Sequence, residues 1–438
     1  MKQLLLRLLE KTGLTKLRGG GYGATVKGQV AILLLNVFTG VAAARLLGPQ
    51  GRGQLQALII WPGVLMTLGA MGINQAIVFH VGKRLFKFTE IWTGTVAIAL
   101  AQSALVILAG IILLPMALKN YPGFVRDYSL IYLMFTPLMM MGGYPSNFLQ
   151  GRLDMASFNL VRCTPGFIYA LGLGALLLLR RGSLGGVVAL LLLGPVVGGS
   201  LGLGLLRKRE SLHLAWNRDA AVSLFKYGFK TQFESVNSYI NQRLDQLLLS
   251  LFVAPRELGL YVVAVTLSLA VGFFPQAMGI VTLATGSNLP PSEARQAISQ
   301  SFRLSLVWLL LLCTGLFIVA PQLITFFFGS KFAGSVLACR ILLPGTAFLG
   351  LRQVLYEGAR ALGKPAVPSY AEGLGTLMTI AALYLLLPRY GFVGAAIAST
   401  LAYGTSFVFV LLFCEYRLQI SLRQLFGVSP VPVVGRSV

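Results

Sequence analysis

Ala70-Met71-Gly72-Ile73 and Ala277-Met278-Gly279-Ile280 are the same four residues, 207 positions apart. Other pairs fall in step with them. Tyr22-Gly23 matches Tyr227-Gly228 at an offset of 205, Pro49 and Gly53 match Pro255 and Gly259 at 206, and Leu153 matches Leu362 at 209. Gly182 and Gly185 match Gly391 and Gly394, also at 209. Any one pair carries little. Five ordered matches whose offset drifts smoothly mark an internal duplication.

The residues between these markers are apolar in long runs. Of the 438 residues, 56% are hydrophobic and 11% charged, whereas a soluble domain carries about a quarter charged residues. Runs of 20 or more apolar residues are long enough to cross a hydrocarbon core of about 30 Å as helices. Twelve such spans are readable, at 24–47, 54–80, 90–116, 128–149, 157–179, 185–206, 220–252, 259–283, 304–328, 335–359, 366–387 and 392–414. Pro62, Pro137, Pro165, Pro195, Pro275, Pro321 and Pro344 are candidate bend points. The expected fold is therefore all-α and polytopic, with twelve transmembrane helices in two pseudo-symmetric six-helix bundles. The segments are a basic tail at 1–23, a bundle at 24–207, a linker at 208–219, a second bundle at 220–414 and a tail at 415–438. An even number of spans per copy returns the chain to its starting side. The two copies then share one orientation, with an axis along the membrane normal and a substrate path between them. Halves that can rock against each other are a physical basis for alternating access.

Lysine and arginine orient the spans. With the N-terminus in the cytoplasm, the cytoplasmic segments hold twenty of the 36 basic residues, the outer loops eight and the spans eight. That bias predicts both termini in the cytoplasm. It also explains the net charge of +23 without nucleic acid, since the cations sit in short loops and tails rather than on one face. Residues 1–17 mix leucines with Lys2, Arg7, Lys11 and Lys16, which fits either a helix lying on the membrane surface or a basic tail. They lack the apolar core and small-residue site of a cleavable signal. Cys163, Cys313, Cys339 and Cys414 have no metal-ligand spacing and read as small buried hydrophobes. No metal or cofactor is expected.

Ionisable residues inside a span are costly and mark cavities or partners. In span 7, Lys226, Lys230, Glu234, Asn237, Asn241 and Asp245 follow spacings of 4, 4, 3, 4 and 4, which is one helical face. The functional reading is a helix lining a hydrated cavity. The bland reading is a self-neutralised stripe against another polar helix, with Lys230 and Glu234 paired one turn apart and Lys226 snorkelling. Span 1 carries Lys27, Gln29, Asn36, Thr39 and Arg45, and snorkelling rivals cavity lining for Lys27 and Arg45. Spans 1 and 7 are repeat equivalents, so together they are expected to form one basic cavity. Arg162, Arg340, Arg352 and Glu357 add charges in spans 5 and 10, and His80 at the end of span 2 reads as interfacial. The eight in-span cations outnumber Glu234, Asp245, Glu357 and Glu372, which predicts an anionic cargo; pyrophosphate suits Arg and Lys donors. The candidate substrate-binding residues are Lys27, Asn36, Lys226, Lys230, Asn237, Asn241, Arg243 and Arg352. Glu234 and Asp245 are the candidates for a coupling proton or sodium ion.

Several motifs carry a resemblance. They are Ala43-Ala44-Arg45-Leu46-Leu47-Gly48-Pro49-Gln50-Gly51-Arg52-Gly53 and Asn241-Gln242-Arg243-Leu244-Asp245-Gln246-Leu247-Leu248-Leu249 with Leu258-Gly259-Leu260-Tyr261. Phe328-Gly329, Ile341-Leu342-Leu343-Pro344-Gly345, Arg360-Ala361-Leu362-Gly363-Lys364-Pro365 and Pro388-Arg389-Tyr390-Gly391-Phe392-Val393-Gly394-Ala395-Ala396 continue the series. In this order the chain resembles the polysaccharide-exporter and O-antigen flippase branch of the multidrug/oligosaccharidyl-lipid/polysaccharide (MOP) superfamily. The resemblance implies a V-shaped pair of bundles. It implies flipping of an undecaprenyl-pyrophosphate-linked oligosaccharide to the outer leaflet of a bacterial or archaeal cytoplasmic (inner) membrane, coupled to an ion gradient. Membrane lipids, a glycan polymerase and other polysaccharide-assembly proteins are the partners it suggests. Twelve spans match O-antigen-type flippases and depart from lipid II flippases, which add two. The main rival is a drug/cation antiporter of the same superfamily, whose cavities are typically acidic. A major facilitator transporter would need a Gly…Asp-Arg…Gly-Arg signature that 81–89 lacks. A membrane glycosyltransferase would need a large outer loop, and none here exceeds about a dozen residues, so a transporter rather than an enzyme is expected.

Overall fold

The computed structural model describes residues 21–427, leaving out the side chains of 21–30 and of Phe233, Glu234, Ser235, Ser238, Asn241 and Ala284. The N-terminal segment at 1–20, with its surface-helix or tail alternatives, lies outside the described residues. So does the end of the C-terminal tail.

Every regular element among the described residues is helical. The helices are α1 Gly21–Gly69, α2 Ile73–Lys83, α3 Phe88–Ala117, α4 Gly123–Met134, α5 Thr136–Gly151, α6 Met155–Leu178 and α7 Leu184–Arg207. They continue with α8 Arg218–Phe252, α9 Pro255–Leu269, α10 Phe273–Gly286, α11 Pro291–Phe327, α12 Ser335–Ala361, α13 Val367–Leu418 and α14 Leu422–Phe426. A helix satisfies its own backbone, which is why long apolar segments in lipid take this form. Eight helices are long and apolar enough to cross a bilayer, so the protein is a multi-pass membrane protein.

These eight account for ten of the twelve expected spans, because α1 and α13 each hold two. α1 breaks at Gly48 (φ 64) and α13 at Gly391 (φ 53). Gly48 occupies a left-handed conformation that a side chain would strain, and Pro49 begins the next arm with a preset φ. Of the remaining spans, the fourth is α4 plus α5. It bends at Phe135 because Pro137 cannot donate a backbone bond. The seventh is α8, which is long enough but rich in charge. Repeat-equivalent markers fall at equivalent turns. Pro49 and Pro255 each open a second span, and Gly182 and Gly391 each lie between a fifth and a sixth.

The repeated tetrapeptide behaves differently in its two copies. Ala277–Ile280 is helical within α10. At Ala70–Ile73 the chain leaves the helix, with Met71 at φ 43 and Gly72 at φ 65. Span 2, expected as continuous over 54–80, is therefore two helices. Gly72 lies against α8 so closely that a Cβ would meet the Gly228 carbonyl oxygen at 2.1 Å.

By packing, the chain divides into two compact units, Met1–Gly259 and Leu260–Val438. The first therefore includes α8. Expected boundaries at 208–219 follow the duplication in sequence, whereas this grouping follows how closely the backbone segments pack. Within the first unit, glycines bring helices together: a Cβ on Gly199 would meet the Gly142 Cα at 2.5 Å, and one on Gly194 the Pro165 carbonyl oxygen at 2.7 Å. In the second unit Ile298, Phe302, Val354, Leu355, Ala371, Phe407 and Val410 form the core, and α14 docks on it through Leu425.

Candidate functional site

α8 starts at Asn217, whose side chain accepts from the N–H groups of Asp219 and Ala220. The helix then runs along α1, α2 and α3. Its packed face carries Leu224, Gly228, Gln246, Leu249 and Ser250, all buried. Much of that face is polar, and each polar group has a partner. The Gln56 amide donates to Gln246 Oε1 at 2.8 Å, and Trp61 Nε1 donates to Ser250 Oγ at 3.1 Å. His80 is buried rather than interfacial. Its Nδ1 donates to the Ala76 carbonyl and its Nε2 accepts from Ser223 Oγ, both at 2.8 Å. The stacked pair Phe79 and Tyr227 closes over it.

The break in span 2 leaves backbone carbonyls without intrahelical partners. Two glutamines satisfy them. Gln232 Nε2 on α8 donates to the carbonyls of Thr67 (2.6 Å) and Leu68 (3.2 Å). Gln102 Nε2 on α3 donates to that of Ala70 at 3.0 Å, and Gln102 in turn accepts from the Tyr144 hydroxyl. A discontinuous span with its loose ends tied by side chains is a frequent element of transporter binding sites.

Close by, the first unit holds two arginines that the sequence did not pair. Arg243 Nη1 donates to Gln246 Oε1 at 3.3 Å. Arg52, which falls between the expected spans 24–47 and 54–80, lies inside α1, half-buried and within electrostatic range of Arg243 and Tyr169. Its buried Nε has no hydrogen-bond partner among the described residues. Tyr132 lies within electrostatic range of Tyr169 and Tyr239, and Tyr239 of Arg243. The Tyr239 hydroxyl rests on α1 at Gly63, where a Cβ would come within 2.6 Å of it. Two guanidinium groups with phenols in electrostatic range offer an anion charge, directional donors and hydroxyl bonds.

The expected stripe on α8 is divided by this packing. Lys226 and Lys230 are exposed, and Asn237 is half-buried. Asp245 is buried beside the Gln56–Gln246 contact, its Oδ1 accepting from the Gln246 N–H at 2.7 Å. Side chains of Lys27, Glu234 and Asn241 lie outside those described. Asn36 is exposed on α1 next to Leu34, Val37 and Phe38.

Arg352 belongs to a different environment, inside the second unit. It is 5% exposed. Its guanidinium contacts Glu372 at 2.8 Å, donates to Ser406 Oγ at 2.5 Å, and lies over the rings of Tyr356 and Tyr403. Glu357, one turn away, pairs with Arg360 at 3.0 Å and accepts from Gln353. Arg352 thus joins span 10 to span 11 by a buried ion pair and to span 12 through Ser406 and Tyr403.

With this geometry in view, the comparisons with known proteins are specific. A family model described as polysaccharide biosynthesis protein matches residues 19–285. A Haloferax volcanii protein described as a probable low-salt glycan biosynthesis flippase, Agl15, is 22% identical over 375 residues, covering 83% of this chain and 76% of that one. An uncharacterised membrane protein of Methanocaldococcus jannaschii is 23% identical over 209 residues, covering 47% of this chain and 41% of that protein. Among solved structures, the lipid II flippase MurJ in an inward closed conformation superposes with TM-score 0.74 at 16% identity, over 91% of both chains. An inward-facing multidrug resistance MATE transporter of the MOP superfamily gives 0.71 at 14%, over 90% of this chain and 98% of that one. These likenesses establish a polytopic MOP fold. The family match, covering well over half of the sequence, establishes that the chain belongs to the polysaccharide biosynthesis protein family.

Proposed function

We propose that this protein is a flippase that moves a lipid-linked oligosaccharide from the inner to the outer leaflet of the cytoplasmic membrane. The carrier is a polyprenyl pyrophosphate, undecaprenyl in a bacterial host. Movement is by alternating access, driven by a proton or sodium gradient. Both termini lie in the cytoplasm, following the distribution of Lys and Arg. A glycan polymerase and other polysaccharide-assembly proteins are the partners that would receive the product.

The observation that carries this reading is the Arg52–Arg243 cluster with its tyrosines, inside a chain of the polysaccharide biosynthesis family. A pyrophosphate entering a span must replace its hydration shell. The half-buried Arg52 guanidinium does this more effectively than an exposed cation, because the local dielectric is lower, and exposed Arg243 adds a second guanidinium within electrostatic range. Lys226 and Lys230, exposed on the same helix as Arg243, extend the positive surface that would gather the anion. The resemblance to the Haloferax flippase supports the same cargo class. A cationic drug would meet repulsion from the same two arginines, which disfavours the antiporter reading.

The experiment is genetic. Deletion should leave lipid-linked glycan exposed on the inner leaflet and remove the surface glycan, with restoration by the plasmid-borne gene. Normal glycan export in the deletion strain, in a host without a second copy, would overturn the proposal.

A further inference from the structure

At one end of the first unit lies an open cleft of about 500 Å³, within the range of roughly 300–1,000 Å³ usual for small-molecule sites. Three segments wall it. The start of the second arm of α1 gives Gln50 and Gln54, α4 gives Phe124 and Tyr128, and the entry to α7 gives Ser183 and Gly185. No lining side chain is charged, although Arg126, Arg180 and Arg181 lie within two residues of the lining in sequence.

Gln54 is the informative residue. It is 8% exposed, and it lines the cleft. An amide on the wall of a cleft offers a bound ligand both a donor and an acceptor. The groups around it share that character. The Tyr128 hydroxyl lies over Gly185, where a Cβ would approach it to 2.7 Å. Ser183 Oγ accepts from the Gly186 N–H, leaving its own proton to donate. The rings of Phe124 and Tyr128 meet edge to face at 6.3 Å and add an apolar surface beside these polar atoms.

An amide that both donates and accepts, two hydroxyls, an aromatic face and no charge together describe one ligand class. A phosphate would call for cations, a cationic group for carboxylates, and an acyl chain for uninterrupted apolar walls. A neutral sugar ring has hydroxyls along its edge and C–H bonds on its face, and matches each element. We propose that this cleft is a saccharide subsite that holds one or two neutral sugar residues. That those residues belong to the translocated cargo rests on the proposed function; the saccharide binding itself does not.

The test is saturation-transfer NMR on the full chain in nanodiscs, with methyl hexosides, methyl N-acetylhexosaminides and their disaccharides as probes. The expected result is transfer to ring protons of at least one probe. Gln54→Leu and Phe124→Leu should each weaken that binding at least tenfold. Absence of transfer to every probe overturns the proposal, as does unchanged binding in both variants. Loss of transfer when the nanodisc contains phosphatidylglycerol would assign the cleft to a lipid headgroup and also overturn it. A parallel flipping assay separates the two claims. Wild-type protein that binds sugar but flips nothing retains the subsite and loses the flippase reading. Protein that flips but binds no sugar does the reverse.

Discussion

Alanine at position 53 would place its Cβ 1.7 Å from the Pro255 carbonyl oxygen. The contact is reciprocal, since a Cβ on Gly259 would lie 1.9 Å from the Pro49 carbonyl oxygen. Repeat-equivalent segments, Pro49-xxx-Gly53 and Pro255-xxx-Gly259, thus cross backbone to backbone. Real Cβ contacts do not fall below 3.0 Å, so the two segments must separate by at least 1.3 Å to admit one methyl group at position 53. The obstacle is a carbonyl, which has no rotamer to escape into. A gap of this size forfeits half or more of the dispersion energy of each facing atom pair. Overpacking typically costs about 1–3 kcal/mol, and a clash of backbone against backbone places Gly53→Ala at or above about 3 kcal/mol on that scale. Gly259→Ala should cost nearly as much. The double variant should cost far less than the sum, with a coupling of about 1–3 kcal/mol, because the separation that admits one methyl admits the other. Gly315→Ala is the control, with nothing within 4 Å of its Cβ. Equilibrium unfolding in mixed micelles with increasing SDS measures all four. Wild-type stability in Gly53→Ala, or strict additivity in the double variant, would refute the crossing.

Arg352→Met should destabilise by about 3–5 kcal/mol, since Glu372 is left as an uncompensated buried charge; in the same unfolding assay Arg352→Met with Glu372→Leu should recover most of the loss. At the opposite end of the first unit from the cleft, Arg152 pairs with Glu210 and Arg209 with Asp154, tying the 152–154 turn to the linker after α7. Asp154 also caps α6 by accepting from the Ser157 N–H. Asp154→Asn should therefore cost only about 0.5–1 kcal/mol, as a partly exposed ion pair does, while Asp154→Ala should cost about 1 kcal/mol more for the lost cap. Gln232→Leu should cost about 1–3 kcal/mol by leaving the Thr67 and Leu68 carbonyls at the span 2 break unsatisfied, while Gln102→Leu should cost less, because the Ala70 carbonyl still accepts from the Ile73 N–H; in Gln232→Leu hydrogen exchange should rise locally at residues 70–76 before global unfolding.

Hydropathy made most of this architecture legible, because a span needs length and apolarity and both are local properties. The turns at Gly48 and Gly391 were also readable, since glycine beside proline or at a repeat marker signals a stop. The break at Ala70–Ile73 was not. Its four residues are helical at 277–280, so the difference comes from what each copy meets. Gly72 meets the α8 backbone at Gly228, whereas Gly279 meets the side chains of Gln353 and Glu357. The polar face of α8 was visible from its spacing, but spacing does not say which polar residues are used in packing. Gln232, Gln246, Ser223 and Ser250 lie off the predicted stripe and make the contacts with α1 and α2. Arg52 was hidden for a related reason. Its position between Gly51 and Gly53 reads as a loop, and only the continuation of α1 through that segment leaves it half-buried within electrostatic range of Arg243. Arg352 and Glu372 were both seen as in-span charges, yet their pairing joins two spans and is not encoded in either.

Transbilayer movement by the purified protein tests the central claim most directly. In proteoliposomes carrying a fluorescent polyprenyl-pyrophosphate oligosaccharide, wild-type protein should equalise the two leaflets, read as loss of protection from an external lectin or dithionite. Arg52→Glu combined with Arg243→Glu should abolish movement while the protein stays folded and inserted. Unchanged flipping by that variant, or no flipping by the wild type in the presence of either a proton or a sodium gradient, would contradict the account.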